Sequence, residues 1–481
     1  MALDSKNTSA RARQEMLANM PVKRLLWKLS APAMVGMMTM ALYNVVDAIY
    51  VGRGVGPLGI AGVTIAFPIM MLLMAVGQMF GLGAASVVSR NLGAGALRRA
   101  EMALGNAAMA VIAAGLFVTL TCLPNSASLL RLAGASETVL PYAKDYLDIV
   151  LIGAVFAAYP MAVNNLVRAE GNARVAMNSM LLGAGLNIAL DPVFIFGLGM
   201  GVRGAAIATL LAHVVTTIYV TRYFRSGRST LRLSLAAMKP HLAVLRETIS
   251  IGFPSFIRMG AGSLIILMIN RMLGFYGGDL FIAANGIVGR TMMFAAMPLM
   301  GIGQGLQPIL GFSYGAKRFD RALEVTKFSL SVAAGYSLFA FGLLVFFAGP
   351  VTTIFTTDAA LVEIGAHAAR YVYAAFFLVG FQIVGSVVFQ SLGLVRQTFV
   401  TSTSRQVLFL VPLLLVLPRF LQVDGIWLAF PIADALSAVL VLVLVAPLLR
   451  DFRSKRDAQA QEIIAAREET IDIEPIPASS E

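Results

Sequence analysis

The sequence contains little of two things that most soluble proteins use, cysteine and charge. Cys122 is the one cysteine among 481 residues, so an intramolecular disulfide and a multi-cysteine metal site are both excluded. Charged residues make up 13% of the chain and hydrophobic residues 58%, whereas a soluble domain has about 25% charged residues. The composition therefore excludes an ordinary soluble globular protein.

The hydrophobic residues form blocks long enough to cross a bilayer, which takes about 20 apolar residues in a helix. Charged or Gly/Pro-rich breaks separate these blocks into twelve predicted helices. They cover residues 25–52, 58–88, 101–123, 142–167, 174–197, 203–223, 247–273, 279–308, 321–349, 369–392, 396–417 and 424–449. The pattern predicts an all-α, multi-pass protein of the cell (inner or plasma) membrane.

The basic residues predict the orientation of these helices. A net charge of +12 in a soluble protein would suggest nucleic-acid binding, but membrane proteins concentrate Lys and Arg in cytoplasmic loops. With the N-terminus inside, most of the 37 Lys and Arg residues, Arg405 included, fall in inside segments. Both termini are therefore predicted to be cytoplasmic, and no nucleic-acid partner is needed to explain the charge.

The two halves of the chain resemble each other at a constant offset of 222 residues. The matching pairs are Pro32 and Pro254, Gly52 and Gly274, Gly93 and Gly315, Arg99 and Arg321, Gly171 and Gly393, and Arg174 and Arg396. Each half has six predicted helices, so both enter the membrane from the same side. Such repeats are related by a pseudo-two-fold axis along the membrane normal.

The repeat predicts a division of the chain into two six-helix lobes. We expect a cytoplasmic segment (1–24), an N-terminal lobe (25–223), a cytoplasmic linker (224–246), a C-terminal lobe (247–450) and a cytoplasmic tail (451–481). The tail is rich in Glu and ends in a polar, proline-containing stretch, a composition typical of disorder.

The sequence contains no nucleotide-binding or metal-binding motif in a suitable context. Residues 54–59 and 199–204 both fit G-x-G-x-x-G, but that pattern binds a dinucleotide only between a strand and a helix. Here both occur in turns between predicted membrane helices. No Gly-Lys pair exists for a phosphate-binding loop, and the three histidines show no metal-ligand spacing.

Acidic side chains in the first half are the main candidates for function. Asp47 lies in an apolar helix, where a charge costs roughly 2.5–3.5 kcal/mol. Asn187 and Asp191 share one face of the fifth helix, and Asp47, Asp191 and Thr209 lie at similar depths, about 9 Å from the outer helix ends. Two close carboxylates bind a proton or a cation between them. The alternative is that they cap helix ends or meet interfacial water.

The second half has no equivalent acid pair. Its buried charges are Arg258, Arg290 and Asp434, which we predict to form a structural ion-pair cluster between the seventh, eighth and twelfth helices. A role in contacting substrate is the alternative. The 25 methionines are expected to face lipid or the core, or else to line an adaptable wall for apolar ligands.

With these features the chain resembles the multidrug and toxic compound extrusion (MATE) family from about Leu25 to Arg450. The segments that support the resemblance include "APAMVGMMTMALYNVVDAIYVGRGVG", "SRNLGAGALRRA", "LVRAEGNAR", "LNIALDPVFIFG" and "MGVRGAAIAT". The resemblance implies that the coupling proton or Na⁺ binds at Asp47, Asn187, Asp191 and Thr209. It also implies neighbouring polar positions at Tyr43 and Asn164, and a bend of the first helix at Pro32.

The resemblance implies a secondary antiporter and not an enzyme. It would export drug-like, mostly cationic and amphipathic compounds from a cavity between the lobes by alternating access, in exchange for H⁺ or Na⁺. No other cofactor and no nucleotide are expected, and the protein would act as a monomer in the bilayer. The alternative is a related lipid-linked oligosaccharide or lipid flippase, for which Arg258 and Arg290 are the sequence hint.

Overall fold

The N-terminal half of the computed structural model consists of nine helices. The structure describes the backbone of residues 2–471 and the side chains of residues 11–462. The eighth helix, α8 (Ala173–Pro192), continues as a π-helical turn, Val193–Gly197. The helices are α1 (Ala2–Asn19), α2 (Val22–Val55), α3 (Pro57–Gly93), α4 (Leu97–Cys122), α5 (Ser126–Leu132), α6 (Leu140–Ile152), α7 (Ala154–Ala169), α8 (Ala173–Pro192) and α9 (Gly201–Arg225).

The C-terminal half begins after a non-helical connection, residues 226–241. The α16 helix (Val395–Thr403) also continues as a π-helical turn, Ser404–Leu410. The helices are α10 (Leu242–Tyr276), α11 (Asp279–Gly315), α12 (Phe319–Phe346), α13 (Ala348–Thr353), α14 (Ala359–Val372), α15 (Phe376–Leu392), α16 (Val395–Thr403), α17 (Val411–Val416) and α18 (Pro418–Ile471).

The helices provide twelve membrane spans, as the apolar blocks predicted. Ten helical segments are long and apolar enough to cross a bilayer by themselves. Two bent pairs complete the set: α6 with α7, bent by 58°, and α14 with α15, bent by 53°. These pairs are the fourth and the tenth spans, so the same irregularity recurs at the same place in each half. The predicted all-α fold with two six-helix bundles is confirmed.

The predicted ends of the chain need one correction. The tail 451–481 was predicted to be disordered, but α18 continues to Ile471, with a backbone break at Gln422 (φ 50°). That prediction is wrong over residues 451–471, because this stretch is rich in Ala, Lys, Arg, Gln and Glu, which are good helix formers. Residues 472–481 lie outside the described part of the chain.

Close contacts between the lobes lie on one side of the molecule, which we call the linker side because it contains α1 and the 226–241 connection. At Gly83 on α3 and Gly252 on α10, an added Cβ would collide with the backbone carbonyl oxygens of Thr248 and Met79 respectively. Each glycine lies about ten residues from the linker-side end of its helix. Glycine is needed there because the two backbones leave no room for a side chain.

Ion pairs add to the contact on the linker side. Glu247 on α10 accepts hydrogen bonds from Arg90 on α3 (Nη2–Oε1, 2.9 Å) and from Arg99 on α4 (Nη2–Oε2, 2.8 Å). The carboxylate of the C-terminal lobe is therefore held by two guanidinium groups of the N-terminal lobe.

The α1 helix bridges the two lobes on the same side. Leu17 is 1% exposed and packs where Gly171, between α7 and α8, leaves space for it. Arg321 at the start of α12 donates to the carbonyl oxygens of Leu17 and Met20, at 3.1 and 2.8 Å. The segment predicted as a cytoplasmic N-terminus is thus a structural element in contact with both lobes.

Candidate cation and substrate site

Four polar residues from three spans meet in the N-terminal lobe. The carboxyl groups of Asp47 on α2 and Asp191 on α8 lie within hydrogen-bonding reach of each other. The amide of Asn187 donates to Asp191 Oδ1 (3.3 Å) and to Thr209 Oγ1 on α9 (3.2 Å). The structure therefore brings together the three residues that the sequence had placed at one depth, Asp47, Asp191 and Thr209, with Asn187 from the same face of α8. We call these four residues the acid pocket.

The local sequence explains how α8 and α9 approach each other. Pro192 has no backbone N–H, so the carbonyl of Ile188 loses its helical partner, and the chain widens into the π-helical turn, an irregularity often found at functional sites. At Gly204 on α9, an added Cβ would lie 2.8 Å from the carbonyl of Phe194 in that turn. Glycine permits this contact, which brings Thr209, on the next turns of α9, towards α8.

The acid pocket has more buried acceptors than donors. Asp191 is 0% exposed and Asn187 is 2% exposed. Three buried oxygens of the acid pocket have no hydrogen-bond partner among the described residues: Asp47 Oδ1, Asn187 Oδ1 and Asp191 Oδ2. Buried polar atoms are costly unless they are satisfied. A proton shared by the carboxyl groups, or a small cation among these oxygens, would satisfy them.

Two tyrosines complete the surroundings of the acid pocket. Tyr43, one helical turn before Asp47 on α2, lies near both carboxyl groups. Tyr146 on α6 also lies near them, next to Thr209. The sequence reasoning missed Tyr146, because a single tyrosine near the outer end of a span has no distinctive spacing. Its relation to the acids follows only from the packing of α6 on α9.

A cavity of about 390 Å³ lies between the lobes, next to the acid pocket. Asn187 and Thr209 belong to both, and Tyr43 lines the cavity as well, so these three side chains separate the two carboxyl groups from the cavity. Nine methionines line it, among them Met40, Met74, Met180, Met259 and Met293. These nine methionines follow the second of the two expectations for this residue type, a wall of flexible, polarizable thioethers for apolar ligands.

Asn164 lines the cavity without belonging to the acid pocket. Its amide donates to Ser179 Oγ (3.2 Å). Two arginines also line the cavity, Arg168 from the N-terminal lobe and Arg258 from the C-terminal lobe. Among the described residues, no Asp or Glu side chain belongs to the cavity wall. Pro32 lies inside α2, which is continuous from Val22 to Val55.

The predicted ion-pair cluster in the C-terminal lobe is wrong. Asp434 pairs with Arg405, through Nε to Oδ1 and Nη2 to Oδ2 (3.5 Å), while Arg258 lines the cavity and Arg290 is exposed on α11. The cause is the π-helical turn after α16, which contains Arg405 and packs against α18. Arg405 therefore lies within the eleventh span. The assignment of basic residues to the two sides of the membrane had instead placed it in a cytoplasmic segment.

The sequence matches a known family twice. The MatE family model covers residues 32–193 and again residues 254–416. The two matches start 222 residues apart, which agrees with the offset between the halves of the sequence.

Known proteins with similar sequences and structures support the same assignment. The "Multidrug export protein MepA" of Staphylococcus aureus (strain N315) is 28% identical over 432 residues, covering 90% of this chain and 95% of MepA. The solved structure of the "MATE multidrug transporter DinF-BH" is 42% identical, with a TM-score of 0.84 over 89% of this chain and 96% of that one. A MATE family transporter of the MOP superfamily in an outward-facing conformation is 27% identical, with a TM-score of 0.85 over 91% and 98%.

Proposed function

The chain belongs to the MatE family, and from this premise we propose that it is a secondary antiporter that exports drug-like organic compounds in exchange for H⁺ or Na⁺. The supporting observation is the acid pocket, with its three unmatched buried oxygens, directly beside a methionine-lined cavity. An intramembrane acid is costly. Reversible binding of the coupling ion explains why two such acids lie together despite this cost.

Coupling follows from the side chains that the two sites share. Tyr43, Asn187 and Thr209 each face the cavity on one side and the acid pocket on the other. A proton or Na⁺ at the carboxyl groups would change the charge behind this wall and the hydrogen bonds that its side chains make. Ion and substrate therefore oppose each other's binding, and such coupling is reciprocal by linkage.

Alternating access is supported by the one-sided contact between the lobes. The distribution of basic residues favours a cytoplasmic linker side. In that orientation the contacts at Gly83, Gly252 and Glu247 close the cytoplasmic side, and the conformation faces outward. Rocking of the two lobes would open that side in turn. The protein would act as a monomer in the plasma membrane with both termini inside.

Growth of cells on a toxic compound provides the test. Asp47→Asn keeps the size of the side chain and removes its titratable charge, so we expect drug resistance to be lost at unchanged protein level. The matched control is Asp279→Asn, an exposed acid in the first turn of α11, which should keep resistance. Full resistance with Asp47→Asn at equal membrane abundance would contradict the proposal.

A further inference from the structure

Arg258 is one of two arginines in the wall of the cavity between the lobes. Its half-buried side chain lines the cavity from α10. Among the described residues, its guanidinium takes part in no hydrogen bond and no ion pair. Arg168, the other arginine of the cavity wall, donates to Asn165 Oδ1 (2.8 Å), and Arg405 is paired with Asp434.

The chemistry of arginine makes this unpaired group informative. A guanidinium cannot be deprotonated in a protein, so Arg258 keeps its charge at membrane depth, where an unpaired charge is costly. Its planar fork of N–H donors matches a carboxylate or a similar oxyanion in a bidentate geometry. A positive group that faces a cavity without a protein acceptor is suited to an acceptor on a ligand.

The opposite polarity occurs on the other side of the same cavity. The N-terminal lobe contributes Tyr43, Asn187 and Thr209, behind which lie the carboxyl groups of Asp47 and Asp191. The methionines that line the cavity come from both lobes. The cavity wall therefore combines a polar face backed by two carboxyl groups in the N-terminal lobe, apolar thioethers, and the guanidinium of Arg258 from the C-terminal lobe.

We propose that Arg258 is a specificity-determining residue that binds an anionic group of the substrate, so that amphipathic zwitterions are preferred substrates. The inference rests on the proposed export function and names its substrate class. The cationic end of such a compound lies towards the acid pocket, where it competes with the coupling ion. The carboxylate or sulfonate end lies on Arg258, where it adds affinity without taking part in ion coupling.

Two forms of one dye separate this inference from general drug binding. Rhodamine 6G is an ethyl ester with a permanent positive charge, and its free acid has the same ring system with a carboxylate added. We expect Arg258→Gln to weaken binding of the free acid by about tenfold or more, the effect of losing a charge-assisted hydrogen bond. Binding of the ester should change by less than about twofold, measured by fluorescence polarisation with the purified full-length protein.

Two further variants serve as controls. Arg258→Lys retains the charge and should recover part of the affinity for the free acid. Arg271→Gln removes an exposed arginine of the same helix and should bind both dyes as the wild type does. Unchanged binding of the ester by Arg258→Gln also shows that the variant is folded.

The outcomes distinguish the two proposals. Wild-type protein could export the ester in response to an ion gradient while Arg258→Gln changes the affinity for both dyes by the same factor, or for neither. In that case Arg258 does not select anions, and only this inference is overturned. If wild-type protein binds neither dye, the export function and the inference are both contradicted.

Discussion

At the residue scale, two buried aspartates show how the same side chain takes opposite roles. Asp47 faces another carboxyl group, and both groups retain unmatched oxygens. Asp434 is 1% exposed and is matched by the guanidinium of Arg405. The first arrangement favours the uptake of a positive ion, whereas the second is already neutralised within the protein.

The first prediction concerns Asp434→Asn, which leaves Arg405 without its counter-charge. Breaking a buried pair typically costs about 3–5 kcal/mol, so the variant should show a lower melting temperature and a lower yield. The protein that folds should still show gradient-driven export, because the acid pocket is intact. A stable Asp434→Asn protein that binds substrate but ignores the ion gradient would place coupling in the C-terminal lobe instead.

The second prediction concerns the hydroxyl of Tyr146, a residue next to Thr209 and near the two acids. Tyr146→Phe removes this hydroxyl and keeps the ring, so the fold should be unchanged. The loss of one polar neighbour of the acid pocket should cost about 1 kcal/mol, so about fivefold more coupling ion should be needed for half-maximal transport. Tyr142→Phe, one turn earlier on α6, should leave the ion dependence unaltered. An unchanged ion dependence in Tyr146→Phe would exclude this tyrosine from the ion site.

At the element scale, the regular spans were predictable and the irregular ones were not. Apolar blocks of 20 or more residues mark a span whatever its neighbours are, and the shared depth of Asp47 and Asp191 predicted their meeting. The bends between α6 and α7 and between α14 and α15 have no comparable signal. The π-helical turn around Arg405 likewise changes the direction of a side chain without changing the hydrophobic pattern, so the partner of Asp434 was assigned incorrectly.

The contacts between helices of different lobes give the third prediction. Glu247→Gln removes the charge that Arg90 and Arg99 share, which should weaken closure of the linker side. Gln307 on α11, which is 5% exposed and donates to the Leu82 carbonyl oxygen (3.3 Å) on α3, reports on this closure. In a Cys122→Ser background, Gln307→Cys should react faster with a polar maleimide when Glu247→Gln is also present.

A surface ion pair within the N-terminal lobe provides the control for this labelling. Glu137→Gln removes the exposed partner of Arg131, away from the contact between the lobes, and should not change the rate at Gln307→Cys. Equal labelling rates for Glu247→Gln and Glu137→Gln would mean that the ion pairs at Glu247 do not hold the lobes together.

At the scale of the whole molecule, the two lobes have the same architecture and different chemistry. The family match and the bent fourth and tenth spans repeat in both halves. The acid pair occurs in the N-terminal lobe, and the unpaired arginine of the cavity wall belongs to the C-terminal lobe. Under the proposed mechanism, duplication would provide the two lobes that rock against each other. The division of charged residues between the halves would assign ion coupling to the N-terminal lobe and substrate selection to the C-terminal lobe.

The most direct test of ion coupling at the acid pocket is transport of rhodamine 6G by purified protein in liposomes, with the pH and Na⁺ gradients imposed separately. Wild-type protein should move the dye in response to at least one of the two gradients, and Asp434→Asn should do the same per folded molecule. Asp47→Asn should respond to neither gradient while still binding the dye. Gradient-driven transport by Asp47→Asn at the wild-type rate would contradict ion coupling at the acid pocket.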